Sequence, residues 1–194
     1  MLKQLRPVFV VFLLLTLVTG IAYPLLVSGV ALLVFPEKAK GSLIRSEDGY
    51  LGSELIGQPF DETKYFWGRL SATPDFPYNP ALSSGSNLGP SNPALVETVK
   101  ARIEALQKAN LGNRSPIPVD LVTSSGSGLD PHITPAAAIY QIPRVVLARG
   151  LSEDQVRRLV DQFTEPRQWG FLGEPRVNVL KLNRALDRIQ GQRG

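Results

Sequence analysis

VFVVFLLLTLVTGIAYPLLVSGVALLVF, residues 8–35, runs for 28 residues without an Asp, Glu, Lys, Arg or His. At about 1.5 Å rise per residue a helix of that length spans roughly 42 Å, more than the ~30 Å hydrocarbon core of a bilayer. In lipid every backbone N–H and C=O must find its partner inside the segment, which leaves a single helix as the form this stretch can take. Residues 8–35 therefore read as a transmembrane helix, with residues 1–7 before it and residues 36–194 after it. Pro24 withdraws one N–H and is expected to kink the helix, with Thr19, Gly20 and Tyr23 nearby to absorb the disturbance. Thr16, Thr19, Gly20, Pro24 and Ser28 form the small and polar set available for close packing against partner helices.

Lys3, Arg6 and the amino terminus precede this helix with no acid among them, while Glu37, Lys38, Lys40 and Arg45 follow it. A first apolar segment starting at residue 8 suits an uncleaved signal anchor. Residues 1–7 are then expected in the cytoplasm, and residues 36–194 outside it. A cleaved signal peptide is the competing reading of the same residues. Lys3 and Arg6 would be its basic start, Val8 to Val18 its apolar run and Gly20-Ile21-Ala22 its cleavage site. The uninterrupted apolar run through Phe35 speaks against cleavage. The chain has no cysteine, which suits either compartment.

The part after Phe35 is long enough for one domain with its own core. All 17 acids lie in it, beside most of the 21 basic residues. The formal charge of +4 is therefore no nucleic-acid signal, since there is no basic run, no interleaved aromatics and no recognisable module. Short strands are predicted at Ser42–Ile44 and Ser53–Gln58, split by the turn Glu47-Asp48-Gly49, with further strands at Tyr65–Leu70 and Ile117–Thr123. Helices are predicted after the caps Asn92, Thr134 and Ser152, the last with Gln155 as a capping box. Pro143 is expected to end or kink the second of them. A final helix carries Val179, Leu182, Leu186 and Ile189 on one face. Dispersed strands followed by helices give an α+β fold: one transmembrane helix, then a single mixed α/β domain.

The chemistry is thin. No cysteine and one histidine exclude thiol catalysis and a His-rich metal site. There is no GxxxxGK[ST], no GxGxxG after a strand, no HExxH and no DKTG. Neither a catalytic residue nor a metal ligand set is assigned. Two sharper readings compete with plain turns. Ser125 or Ser127 with His132 and Asp120 or Asp130 would make a membrane-anchored serine hydrolase, although the GxSxG elbow is not met. Ser125, Gly126, Ser127 and Gly128, before a helix starting at Thr134, could offer backbone N–H groups to a phosphate. An independent K⁺-binding domain is a further alternative.

Larger blocks carry a resemblance. YPLL at Tyr23–Leu26, GSLI at Gly41–Ile44, GSELIGQPF at Gly52–Phe60 and YFWGRLSATPDFPYNP from Tyr65 are followed by SGSNLGPSNPAL. Then come PVDLVTSSGSGLDPHITPAAAIYQIPRV and VNVLKLNRALD. Together these blocks resemble, over nearly the whole chain, the C subunit of the Kdp high-affinity potassium-transporting P-type ATPase of bacteria and archaea. The resemblance implies a non-catalytic accessory subunit in the cell membrane, with a retained anchor and a domain outside the cytoplasm. It implies as partners a channel-like A subunit that takes up K⁺, a B subunit that hydrolyses ATP and a small F subunit. It implies no cofactor of the chain's own. The C subunit of that family has been described as a catalytic chaperone that raises the B subunit's affinity for ATP. A glutamine placed at the nucleotide in that account matches Gln141 in IYQIP. An outward-facing domain cannot bring Gln141 to cytoplasmic ATP, so capping or packing near Pro143 is the role expected of it.

Ser71–Pro93 holds five prolines, which pre-order a long loop. With the aromatic run before it, the loop reads as a docking surface for the channel-like subunit. Tyr65, Phe66, Trp67, Phe76 and Tyr78, with Arg69, are types enriched at interface hot spots. The alternative is that these aromatics close the domain's own core.

Overall fold

In the computed structural model, residues 4–46 and 49–191 are described. Lys3 of the basic start and Glu47-Asp48 of the expected turn lie outside them. The chain forms two compact units that meet in sequence at Ser53 and Glu54.

The first unit begins with a helix from Leu5 to Val34, long and apolar enough to cross a membrane. It consists of α1 (Leu5–Leu17), a π-helical turn (Val18–Ala22) and α2 (Tyr23–Val34). The π-turn sits where Pro24 was expected to disturb the ladder. The proline ring crowds the carbonyl four residues back, that of Gly20, and the wider turn relieves this. Thr16 and Thr19 donate their hydroxyls to the carbonyls of Phe12 and Leu15, so both are satisfied within the helix. Pro36 opens the short α3 (Pro36–Ala39). An antiparallel hairpin follows, β1 (Leu43–Ser46) with β2 (Gly49–Ser53), its register shifted between Ile44 and Arg45. The second strand thus ends at Ser53, where the sequence suggested it would begin.

The second unit contains α4 (Pro93–Ala109), a 3₁₀ turn (Val119–Leu121), β3 (His132–Ile133) and α5 (Pro135–Arg149). It continues with α6 (Glu153–Gln162), β4 (Thr164–Glu165), β5 (Arg176–Asn178) and α7 (Val179–Gly191). The sheet is small and antiparallel, in the order β3-β5-β4. The predicted caps are in place. Asn92 accepts from the N–H of Ala94, Thr134 from Ala137, and Ser152 and Gln155 close a reciprocal capping box. Leu106, Leu121, Ile142, Val145, Val156, Val160, Val177, Leu182 and Leu186 are buried in one core.

Three local expectations are corrected. Ile117–Thr123 is no strand. Pro116 and Pro118 cannot donate to a ladder, and Thr123 returns its hydroxyl to the carbonyl of Val119. Pro143 does not end its helix, which continues to Arg149 and closes on left-handed Gly150 (φ +62°). The carbonyl that Pro143 leaves without a helical donor belongs to Ile139, a residue on the exposed side of the helix. Tyr65–Leu70 is no strand either, apart from a single bridge between Leu70 and Ser124. Its backbone is satisfied in another way.

Candidate functional site

The chain turns at Glu62–Tyr65, closed by Tyr65 N on Glu62 O, and then runs inward at Phe66 and Trp67 outside any sheet, where its N–H and C=O groups must find other partners. Glu62–Leu70 finds them in side chains from α4, α5 and α7. The Gln141 amide accepts from Trp67 N at 2.8 Å and donates to Trp67 O at 3.1 Å. The Asn183 amide treats Phe66 in the same way, at 2.8 and 2.9 Å. Arg144 donates to the carbonyls of Thr63 and Tyr65, Arg149 to that of Lys64, and Arg102 to those of Gly68 and Leu121. Two amides and three guanidiniums thus replace a neighbouring strand.

Gln141 is 0 % exposed. Beyond its exchange with Trp67, it donates to the Ala137 carbonyl and accepts from Arg144 Nη2 at 2.6 Å. Its amide is fully occupied inside the domain. Trp67 lies beneath two cations, with the Arg144 and Arg102 guanidinium carbons 4.6 and 5.0 Å from its ring centre. Burial, and then the neighbouring Arg102 charge, lowers the Arg144 pKa to about 10, and burial also lowers that of Arg102. Arg149 lies over the Tyr65 ring and donates to Asp187, which also receives the Tyr65 hydroxyl.

Phe66, Trp67 and Tyr78 are interior, which corrects their reading as free docking aromatics. Tyr78 adopts φ +59°. Its hydroxyl donates to the Arg69 carbonyl at 2.6 Å, and its N–H is taken by the Ser71 hydroxyl. The ring lies against Gly57 and Gly68, where an added Cβ would come within 2.3 and 2.8 Å of Tyr78 atoms. Burial pushes the Tyr78 phenol up to about 12. Of the six residues, Phe76 alone is mostly exposed, while Tyr65 and Arg69 are half-buried.

The Ser124–Gly128 loop is clasped by the proline-rich loop. Ser127 O accepts from Ser84 N and the Ser83 hydroxyl, Gly128 O accepts from the Ser71 hydroxyl, and Ser125 N donates to Leu70 O. Gly85 and Gly128 have no room for a Cβ, which would come 2.8 Å from Gly126 O and 2.5 Å from Ser84 O respectively. Ser125 is buried, and its hydroxyl finds no partner among the described residues. Gly126 and Ser127 are exposed.

His132 Nδ1 lies 3.0 Å from Asp130 Oδ1, and Arg69 reaches the other carboxylate oxygen at 3.3 Å. Burial raises the Asp130 pKa, but the hydrogen bonds from His132 and the nearby charges overcome it and leave the net value low. Asp120 instead accepts from the N–H of Thr134. Among the described residues no hydrogen bond joins His132 to Ser125 or Ser127, so base and carboxylate meet but the nucleophile of a triad does not. Among them, too, no group of three His, Asp or Glu stands close enough to hold a metal ion.

Asn183, Arg102, Arg144 and Arg149 were missed in the sequence. Basic residues on amphipathic helices read as a solvated face. The available signal was indirect: an aromatic run bounded by Gly and Pro that needed backbone partners.

Comparison with known proteins adds the following. The family model described as "K+-transporting ATPase, c chain" matches residues 5–188. A potassium-transporting ATPase KdpC subunit of Methylococcus capsulatus is 57% identical over 190 residues, covering 98% of this chain and 100% of the relative. A protein of the same description from Burkholderia vietnamiensis is 61% identical over 187 residues, covering 96% and 97%. One from Sorangium cellulosum is 59% identical over 187 residues, covering 96% and 98%.

Proposed function

The chain belongs to the family of K⁺-transporting ATPase C chains, and on that premise we propose that it is a non-catalytic, single-span subunit that holds the transport complex together. The helix Leu5–Val34 anchors it, residues 1–7 stay in the cytoplasm, and residues 36–194 lie outside. Thr16, Thr19, Gly20 and Ser28 permit close approach of partner helices. The partners are the channel-like A subunit, the ATP-hydrolysing B subunit and the small F subunit. As catalytic chaperone the chain raises the B subunit's affinity for ATP through assembly, without itself holding nucleotide. The observation that carries this reading is the Gln141 amide, enclosed and bonded on both its oxygen and its nitrogen. Gln141 and the loop Ser125–Gly128 act on nucleotide only indirectly, by keeping the domain in shape for docking. Docking falls to the exposed part of the proline-rich loop around Phe76, flanked by Tyr65 and Arg69.

The test is reconstitution of the complex with and without this chain, reading K⁺-stimulated ATP hydrolysis and the KM for ATP. Omission is expected to weaken assembly and raise that KM. An unchanged KM in a complex that lacks the chain would overturn the chaperone role. ATP crosslinking to Gln141 would overturn the indirect one.

A further inference from the structure

The hairpin Arg167–Glu174, RQWGFLGE, is closed by its own hydrogen bonds and contributes little to the domain that bears it. Gln168 and Leu172 exchange both backbone hydrogen bonds at 2.9 Å, and Gly170 N and Phe171 N close the turn onto Arg167 O and Gln168 O. The base is pinned by Arg167, whose Nη2 lies 2.7 Å from each oxygen of Glu174. Trp169 adopts φ +52°, a conformation costly for a large side chain, and Gly170 and Gly173 are also left-handed. This local cost is not offset by burial. Trp169 is 85% exposed, Phe171 67% and Leu172 43%. A pinned turn that presents a Trp, a Phe and a Leu to solvent marks a contact surface.

We propose that this tip inserts into the headgroup–acyl boundary of the bilayer that Leu5–Val34 crosses. The chain itself supplies the bilayer. A helix of 30 residues, uncharged from Val8 onward and long and apolar enough to cross a membrane, tethers the domain to a lipid surface and so keeps that surface at high effective concentration. The side chains are of the right type, since aromatic rings, Trp above all, settle at the membrane–water interface. The backbone is prepared as well, because the turn's own hydrogen bonds leave few groups to be stripped of water. The charges are arranged to suit. Residues 168–173 carry none, and those at the base are paired, Arg167 with Glu174 and Arg176 with Glu165. The tip is therefore a neutral apolar cap on a neutralised stem, built for shallow insertion rather than for electrostatic adsorption.

The chain has two tryptophans, and Trp67 is interior, so Trp169 is the reporter. The full chain is reconstituted into vesicles of phosphatidylcholine and phosphatidylglycerol whose phosphatidylcholine carries bromine high on one acyl chain. Trp169→Tyr, measured in parallel, supplies the Trp67 background. The expected result is loss of most Trp169 emission in bromolipid and a blue shift in unbrominated vesicles, with little quenching by aqueous iodide. Phe171→Ser, which keeps the Trp169 reporter, is expected to leave flotation with vesicles and the melting temperature unchanged while weakening the quenching of Trp169 by bromolipid. Trp169 emission open to iodide and untouched by bromolipid would overturn the proposal. Protection that arises only when the partner subunits are added would overturn it as well, and would give the tip to a protein. A chain that fails to float with vesicles would remove the anchor and this proposal together.

Discussion

Gln141 and Trp67 exchange two hydrogen bonds, side-chain amide to backbone, at 2.8 and 3.1 Å. The amide imitates a neighbouring peptide unit and so stitches an extended segment onto α5 without a strand. With Asn183 doing the same to Phe66 from α7, two helices are cross-linked through one short run of backbone. Removing either amide strands buried donors and acceptors, and that fixes the sign of the first prediction.

Gln141→Ala should destabilise the domain by about 3 kcal/mol, because Trp67 N, Trp67 O and Arg144 lose partners and a cavity opens. For a chain of this size that is a fall of roughly 6–12 °C in melting temperature, read by calorimetry on the full chain in detergent. Asn183→Ala should behave alike. A Gln141→Ala chain with unchanged melting temperature, in a complex with raised KM for ATP, would show that the amide acts on nucleotide and not on the fold.

Trp67→Ala should cost about 3–5 kcal/mol, the range for truncating a core aromatic. It also removes the surface against which Arg102 and Arg144 are stacked. Phe76→Ala should leave the melting temperature within about 1 °C, since surface changes rarely exceed 0.5 kcal/mol, and should reduce co-purification with the partner subunits. Equal losses of stability for the two variants would refute the division between core and docking aromatics.

Gly128→Ala should destabilise by about 1–3 kcal/mol, since it combines a left-handed backbone (φ +69°) with a Cβ 2.5 Å from Ser84 O. Gly126→Ala, at a position with nothing within 4 Å, is the control and should be nearly neutral. Denaturant titration of both variants checks whether the clasp between the two loops depends on the missing Cβ or only on the loop sequence.

Tyr78 makes stability depend on alkaline pH. In the folded domain burial holds its pKa at about 12, above the ordinary phenol value of 10.0. Burial of the neutral phenol is therefore stabilising in full below pH 10 and is lost as pH rises from 10 to 12. At 1.36 kcal/mol per unit this amounts to about 2–3 kcal/mol. Tyr78→Phe should flatten the decline of stability across that window, at the cost of the bond to Arg69 O. A decline of the same slope in wild type and variant would assign the alkaline transition to another group.

The legibility of the sequence followed the range of the forces involved. The long N-terminal helix was readable because residues 8–35 are uncharged and apolar over a continuous run, and the π-turn lies beside the proline that was expected to disturb it. Asn92, Thr134 and the Ser152–Gln155 box were readable because a cap bonds within three residues of itself. The family was readable from long blocks in order. Signals that depend on distant partners misled. Tyr65–Leu70 has the composition of a strand, but its partners are side chains 34 to 117 positions away. Pro143 has the signature of a helix end, but it lies on the exposed side of α5, which continues past it to Arg149. Burial turned Phe66, Trp67 and Tyr78 from a docking face into core. It also enclosed the Gln141 amide, and its local sequence does not show what will enclose it. By itself the sequence determined the long apolar helix, the caps and the family, all written in local pattern. Which polar side chains are spent holding the domain together, and which aromatics remain free, was decided only when the chain closed around Glu62–Leu70.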